Sequence, residues 1–360
     1  MEFSYSREQQ MVKQMLKDFA EKEIAPISAE IDEKAEYPYE TIAKLGKLGL
    51  MGMPFPPEYG GAGSDYLTYI MAIEEISKVD ASHGVIIQTH NALCCWPIYT
   101  YGTEEQKRKY LPDLLSGKHL GAFGLTEPNA GTDAAGTQTK AVLDGDEWVL
   151  NGSKIFISGG GIADVYIIMA MTDKSKGTKG ISSFIVEKGD PGFSVPKHEN
   201  KMGIRGSIAA ELVFEDCRIP KDRLLGQEGK GFKTAMTALD VGRLGIAAQA
   251  LGIAQGAFDE TVKYMKQRKQ FGKTLDKFQA LSFEMARNGL SLFTTQSSQD
   301  FIPTISSYSD FTVSRPVTVK SARRQLIVTL IRFVLILMHL WNLTVQKAVT
   351  ITVTIILSSH

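Results

Sequence analysis

The chain has little with which to hold a metal or build a disulfide framework. Its three cysteines, Cys94, Cys95 and Cys217, form no C-x-x-C pair, and its six histidines are scattered without an H-E-x-x-H spacing. These absences argue against a zinc site and against a secreted, cross-linked scaffold, so no metal is expected. The thiols are expected to be reduced and packed. Net charge is missing as well, because 40 Lys and Arg balance 40 Asp and Glu, which leaves no field to attract nucleic acid or an anionic membrane. A small-molecule site is the default. The N-terminus, Met-Glu-Phe-Ser-Tyr-Ser, lacks the basic start and apolar core of a signal peptide, so a cytoplasmic location is expected. A dinucleotide fingerprint is also lacking. In the run Gly159-Gly160-Gly161-Ile162-Ala163-Asp164 an aspartate stands where the third glycine belongs, and no helical pattern follows, so nicotinamide is not the favoured cofactor.

What is present divides into three kinds of pattern. Residues 1–119 read as helical: Ser6 and Gln9 form a capping box ahead of Val12, Met15, Leu16 and Phe19, Thr103 and Gln106 form another, and the first helix is expected to end near Pro26. A mostly apolar run at 81–99 carries His83, Gln88, His90 and Asn91 and reads equally as a buried core helix or as the wall of a pocket. Over 120–228 the period falls to two. Turns at Asp144-Gly145 and Asn151-Gly152 separate short strands at 148–150, 154–158, 165–171 and 181–187, which implies a β-barrel-like middle domain. From 229 to 286 helical spacing returns, with Gly242, Gly245, Ala247, Ala248, Ala250 and Gly252 suited to close helix packing. The fold class expected is therefore multidomain α and β: an N-terminal helical domain, a middle β domain and an incomplete C-terminal helical bundle.

Residues 125–136, Leu-Thr-Glu-Pro-Asn-Ala-Gly-Thr-Asp-Ala-Ala-Gly, are too irregular for a helix and too polar for a buried strand. Pro128 blocks helix, Gly131 and Gly136 permit close backbone approach, and Thr126, Thr132 and Asp133 supply polar groups, so the stretch reads as a binding loop. With its lead-in Gly121-Ala122-Phe123-Gly124, the string resembles the flavin-binding signature of the acyl-CoA dehydrogenases. The chain from Ser4 to Ala286 is similar to the short-chain, butyryl-CoA type of that family, including Leu-Asp-Val-Gly-Arg-Leu-Gly-Ile-Ala at 239–247 and Arg-Lys-Gln-Phe-Gly at 268–272.

The resemblance implies FAD as cofactor, a short-chain acyl-CoA as substrate, an electron-transfer flavoprotein as electron acceptor and a homotetramer. It implies that Phe123, Leu125, Thr126, Gly131 and Thr132 hold the isoalloxazine and pyrophosphate, that Phe156, Ile157 and Ser158 pack on the ring, and that Arg268, Gln270, Phe271 and Gln279 reach the ADP half of FAD across a subunit interface. Thr132, Asp240 and Arg243 fall to the substrate, although Asp240 and Arg243 also read as a plain i, i+3 ion pair. The family base is a glutamate in a Tyr-Glu-Gly-Thr-like motif near the C-terminus, or in some relatives one on the earlier bundle helix. Neither is present. No such motif exists in this chain, and the matching earlier position is Gly242.

From Arg287 the character changes. Residues 287–360 contain two acidic residues, Asp300 and Asp310, against seven Lys or Arg and no glutamate, whereas residues 1–286 hold the other 38 acidic and 33 basic residues. A bundle half needs mixed charge on its outer face, and this tail has little to place there. The apolar run at 326–341 is short for a membrane span and contains Arg332 and His339. The run at 348–357 is β-prone and aggregation-prone. A frame change near codon 287 accounts for the shift; a divergent or membrane-attached tail is the alternative. The family activity is expected to be lost in this chain. The competing classes are a non-catalytic FAD or acyl-CoA binding protein and a membrane-tethered protein.

Overall fold

The computed structural model describes residues 5–296, and the apolar runs at 326–341 and 348–357 lie outside the described residues. Helix α1 (Arg7–Phe19) begins at the expected box, in which the Gln9 N–H donates to the Ser6 hydroxyl at 3.1 Å and the Ser6 N–H to the Gln9 carboxamide at 3.0 Å. The path does not stop at Pro26. A π-helical turn at Ala20–Ile24, in which the Ala25 N–H bonds back to the Ala20 carbonyl, leads into α2 (Ala25–Lys34), and this wider turn carries the helical path past Pro26 in the first turn of α2, a residue with no N–H to donate.

There follow α3 (Tyr39–Lys47), α4 (Tyr66–Ser77), α5 (Ala81–Thr89), a π-helical turn at His90–Cys95, α6 (Trp96–Tyr101) and α7 (Glu104–Leu115). Asp65 caps α4 by accepting the Thr68 N–H at 2.9 Å. Every residue of α4 except Leu67 is buried, so this helix is a core element with no solvent face.

The middle region holds β1 (Gly121–Gly124), β2 (Lys140–Asp144), β3 (Glu147–Ser158), β4 (Val165–Met171), β5 (Ile181–Glu187), β6 (Phe193–His198), β7 (Ala209–Pro220) and β8 (Leu224–Leu225). They form one sheet in the order β6-β7-β3-β2-β4-β5-β8, with β1 parallel to β4. The barrel-like expectation is corrected: the sheet is open. Its edge strands are unsuited to closure, because β8 is two residues long and β6 ends in exposed, basic Lys197 and His198. The expected break at Asn151-Gly152 is also corrected, since β3 runs through it with a register shift against β7.

Strand β4 shows how the sheet joins the helices. Tyr166, Ile168 and Ala170 enter the sheet's own core with Trp148, Phe184 and Phe214, while Val165, Ile167 and Met169 enter the helical core on the opposite face. Burial on both faces explains its unbroken apolar run.

Helix α8 (Gly231–Gln267) then crosses the N-terminal helices. A β-carbon at Gly252 would fall 2.3 Å from the Glu74 carbonyl oxygen, and one at Gly256 would fall 2.0 Å from that of Lys78. These two glycines therefore set how closely α8 approaches α4 and the turn after it. A small hairpin, β9 (Lys269–Gln270) and β10 (Lys273–Thr274), precedes α9 (Gln279–Gln296). The free cysteines Cys94, Cys95 and Cys217 are all buried.

Candidate active site

The loop at 125–136 leaves β1 and rises above β3. Its middle is open to solvent at Pro128, Asn129, Gly131, Thr132 and Asp133, whereas Glu127 and Lys154 beneath it are buried. Lys154 Nζ donates to Glu127 Oε1 at 2.6 Å and to the Leu125 carbonyl at 3.1 Å. The same carboxylate accepts the backbone N–H groups of Gln138 at 2.6 Å and Thr139 at 3.0 Å. Burial acts to raise the Glu127 pKa, but the Lys154 charge and these hydrogen bonds outweigh it and hold the carboxyl below its ordinary value. Burial pushes the Lys154 ammonium down to about 8 against the pull of Glu127. Neither residue had been assigned a role. Lys154 carries no sequence signal of its own, and Glu127 could have been flagged only as a carboxylate within a binding loop.

Of the sequence-derived site residues, Thr126 and the 156–158 stretch lie on segments joined through the backbone. Ile155 N–H donates to the Thr126 carbonyl at 2.9 Å, which fastens the loop to the strand bearing Phe156, Ile157 and Ser158. Phe123 is half-buried on β1, while Leu125 and Ile157 are buried and can reach a ligand only through backbone. Phe156 is 64% exposed and has a positive φ of 61°, at a register shift between β3 and β7.

Among the described residues, the hydroxyls of Thr126, Thr132 and Ser158 have no protein partner. An exposed aromatic ring and three unengaged hydroxyls, carried by the loop and by the strand it is fastened to, are a set of groups that fits a flat heterocycle with polar edges, as the isoalloxazine of FAD is. A β-carbon at Gly131 would meet nothing within 4 Å, so the loop's middle leaves room for a ligand.

The other assigned residues lie elsewhere. Arg268, Gln270 and Phe271 are exposed on the β9–β10 hairpin and Gln279 on the first turn of α9; Phe271 is 92% exposed with φ 50°. Asp240 and Arg243 form the i, i+3 pair on α8, at 3.2 Å.

The polar residues of the 81–99 run are buried ties between elements. His83 Nε2 lies 2.7 Å from the Thr41 hydroxyl. Asn91 Nδ2 donates to the Leu50 carbonyl at 3.0 Å. Gln88 Nε2 donates to the Gly242 carbonyl at 2.8 Å, so the glycine at the alternative base position is capped by a carboxamide.

His90 joins the helices to β1. Gly121 N–H donates to its Nδ1 at 3.0 Å, which puts the ring proton on Nε2, 3.0 Å from the Leu114 carbonyl. Burial pushes His90 down from 6.5 to about 4, against the raising effect of its backbone hydrogen bonds. Because the folded value is depressed, the unfolded chain takes up the proton first as pH falls. Stability is therefore full above 6.5 and declines until about 4, by on the order of 3 kcal/mol. Urea midpoints near neutral pH and at about pH 4.5 should show this loss, and His90→Gln should reduce the difference. An unchanged difference in that variant would assign the acid sensitivity to other groups.

Comparison with known proteins supplies an independent line. The acyl-CoA dehydrogenase N-terminal, middle and C-terminal domain models match residues 6–118, 122–217 and 229–292. The short-chain specific acyl-CoA dehydrogenase of Clostridium acetobutylicum is 59% identical over 286 residues, which cover 79% of this chain and 76% of that protein. Butyryl-CoA dehydrogenase from Megasphaera elsdenii superposes with a TM-score of 0.92 at 43% identity, covering 100% of this chain and 96% of that one. A structure described as the electron transferring flavoprotein of Acidaminococcus fermentans superposes with a TM-score of 0.91 at 45% identity, covering 100% and 94%.

Proposed function

Since the chain belongs to the acyl-CoA dehydrogenase family, a family of FAD-dependent oxidoreductases, we propose that it carries the flavin and acyl-CoA sites of a short-chain enzyme but lacks the base that completes the reaction. The observation that carries this reading is the backbone bond from Ile155 to Thr126, which fastens the loop to the strand bearing exposed Phe156, together with the unengaged hydroxyls of Thr126 and Thr132 on the loop and Ser158 on the strand. The family reaction is α,β-dehydrogenation, butyryl-CoA to crotonyl-CoA in the short-chain type. Bound FAD would accept the β-hydrogen as hydride.

The chain's own residues would do the rest. The loop hydroxyls and backbone N–H groups would hold the ring edge and the pyrophosphate, and Phe156 with Ser158 would back the ring. Asp240 and Arg243 would meet the CoA moiety. Removal of the α-proton requires a carboxylate beside the α-carbon, and this chain offers Gly242 at one family position and no glutamate after Glu284. Glu284 itself is engaged with Arg287 on α9. Glu127 is committed beneath the loop and is no candidate base.

The short-chain relative and the butyryl-CoA dehydrogenase structure support the substrate, and the flavoprotein structure supports an electron-transfer flavoprotein as acceptor. The proposed assembly is a tetramer in which a neighbouring subunit covers exposed Phe271 and Phe283. Assembly and FAD affinity are both expected to be weakened by the change of sequence after Ala286. The non-catalytic binding protein is the second reading, favoured by the missing base. For the tethered reading, no helix among the described residues is long and apolar enough to cross a membrane.

Titrating FAD into the chain while following flavin fluorescence tests the proposal. A saturable one-per-chain isotherm is expected, and Phe156→Ala should weaken it about tenfold. Absence of saturable quenching would end the flavin reading, and a yellow tetramer holding FAD tightly would end the claim of impairment.

A further inference from the structure

We propose that Glu127 and Lys154 are a positioning pair, a buried pin that fastens both ends of the 125–139 segment to β3 and thereby presets its exposed middle for FAD; this rests on the flavin reading above. The carboxylate collects three donors from two separated stretches: the N–H groups of Gln138 and Thr139 where the segment ends, and the ammonium of Lys154 on β3. The ammonium reaches onward to the Leu125 carbonyl where the segment begins. Five positions, 125, 127, 138, 139 and 154, thus meet at one point beneath the loop. Above them, the reciprocal backbone pair of Glu127 and Ala130 and the turn from Asp133 to Gly136 are local bonds that cannot fix the loop relative to the sheet; Thr126 and Thr139 add single bonds to β3 and β4, but only the buried pair links both ends of the segment to each other and to β3.

Stability alone does not explain the pair. Its side chains are 0% and 3% exposed, and an apolar pair of similar volume at such a site is often as stable or more so. An apolar residue at 127, however, would leave the two N–H donors at the end of the loop without an acceptor. The ionised pair is therefore suited to fixing where the segment lies. A loop already fixed spares the ligand the conformational entropy of ordering it, and that saving appears as affinity.

The test compares Glu127→Gln, Lys154→Met and the double variant with the unmodified chain. It uses amide hydrogen exchange without FAD, melting temperature and FAD titration. Exchange at 126–139 should rise about tenfold or more in Glu127→Gln and in the double variant, with β4 and β5 unchanged. FAD affinity should fall about 10- to 100-fold in both. The double variant, free of an unpaired buried charge, should regain most of the melting temperature that either single variant loses, yet not regain FAD affinity. Recovery of affinity together with melting temperature would overturn the proposal, as would unchanged loop exchange in the double variant. If the double variant does not fold, the pair supports the whole fold rather than the loop and the proposal fails. Should the unmodified chain take up no FAD, the flavin reading falls, and loop exchange alone decides whether the pin exists.

Discussion

Anaerobic mixing of the FAD-loaded chain with butyryl-CoA is expected to leave the visible flavin absorbance essentially unbleached. In the family, the glutamate near the C-terminus takes the α-proton, and its backbone N–H helps hold the thioester carbonyl. Residues 287–360 contain no glutamate, so both transition-state interactions are removed together. Loss of a general base costs about 10²- to 10⁴-fold, and loss of an oxyanion donor about 10²- to 10³-fold more, though the two need not add. Rapid bleaching would reveal a base not identified among these residues. Restoring the family reading frame after codon 286 should bring bleaching back; if it does not, the tail is not the fault.

Placing a carboxylate at residue 242 should recover part of the reaction, but only if space is made for it. A β-carbon there would lie 3.1 Å from both Gln88 Nε2 and Leu93 Cδ2, tighter than ordinary side-chain contact. Gly242→Glu alone should therefore lose about 1–3 kcal/mol of stability to overpacking and gain little activity. Gly242→Glu with Gln88→Ala removes one of the two obstructions while leaving the α8 carbonyl in its own helix. This double variant should bleach flavin with butyryl-CoA about 10²-fold faster than the unmodified chain. Equal rates would mean that residue 242 does not face the α-carbon.

How far the sequence revealed the molecule depended on the range of the interactions involved. Capping boxes at Ser6 and Thr103 are local, and both form as expected. Strands β4 and β5 were bounded correctly because their apolar runs stop at turn residues. Asn151-Gly152 misled because the pair carries a hairpin signal. In the fold Asn151 instead exchanges hydrogen bonds with Asp216 on β7, at 2.9 and 3.1 Å, and that partner lies 65 positions away. Strand β1 went unnoticed for the same reason: two of its four residues are glycine, and its pairing with β4 is parallel and distant. The segment at 125–136 was legible as an irregular polar loop because its whole string is distinctive. The Lys154 contact that holds it was not, since 27 residues separate the partners.

From the standpoint of selection, Phe156 is a residue the fold would be better without. An aromatic side chain at φ 61° sits in a backbone region that glycine enters freely and other residues enter at a cost of about 1–2 kcal/mol. Its ring, 64% exposed, recovers little of that by burial. Sequences filtered for folding alone would drift at this position toward glycine or asparagine. A redesign scored only on stability would discard it early.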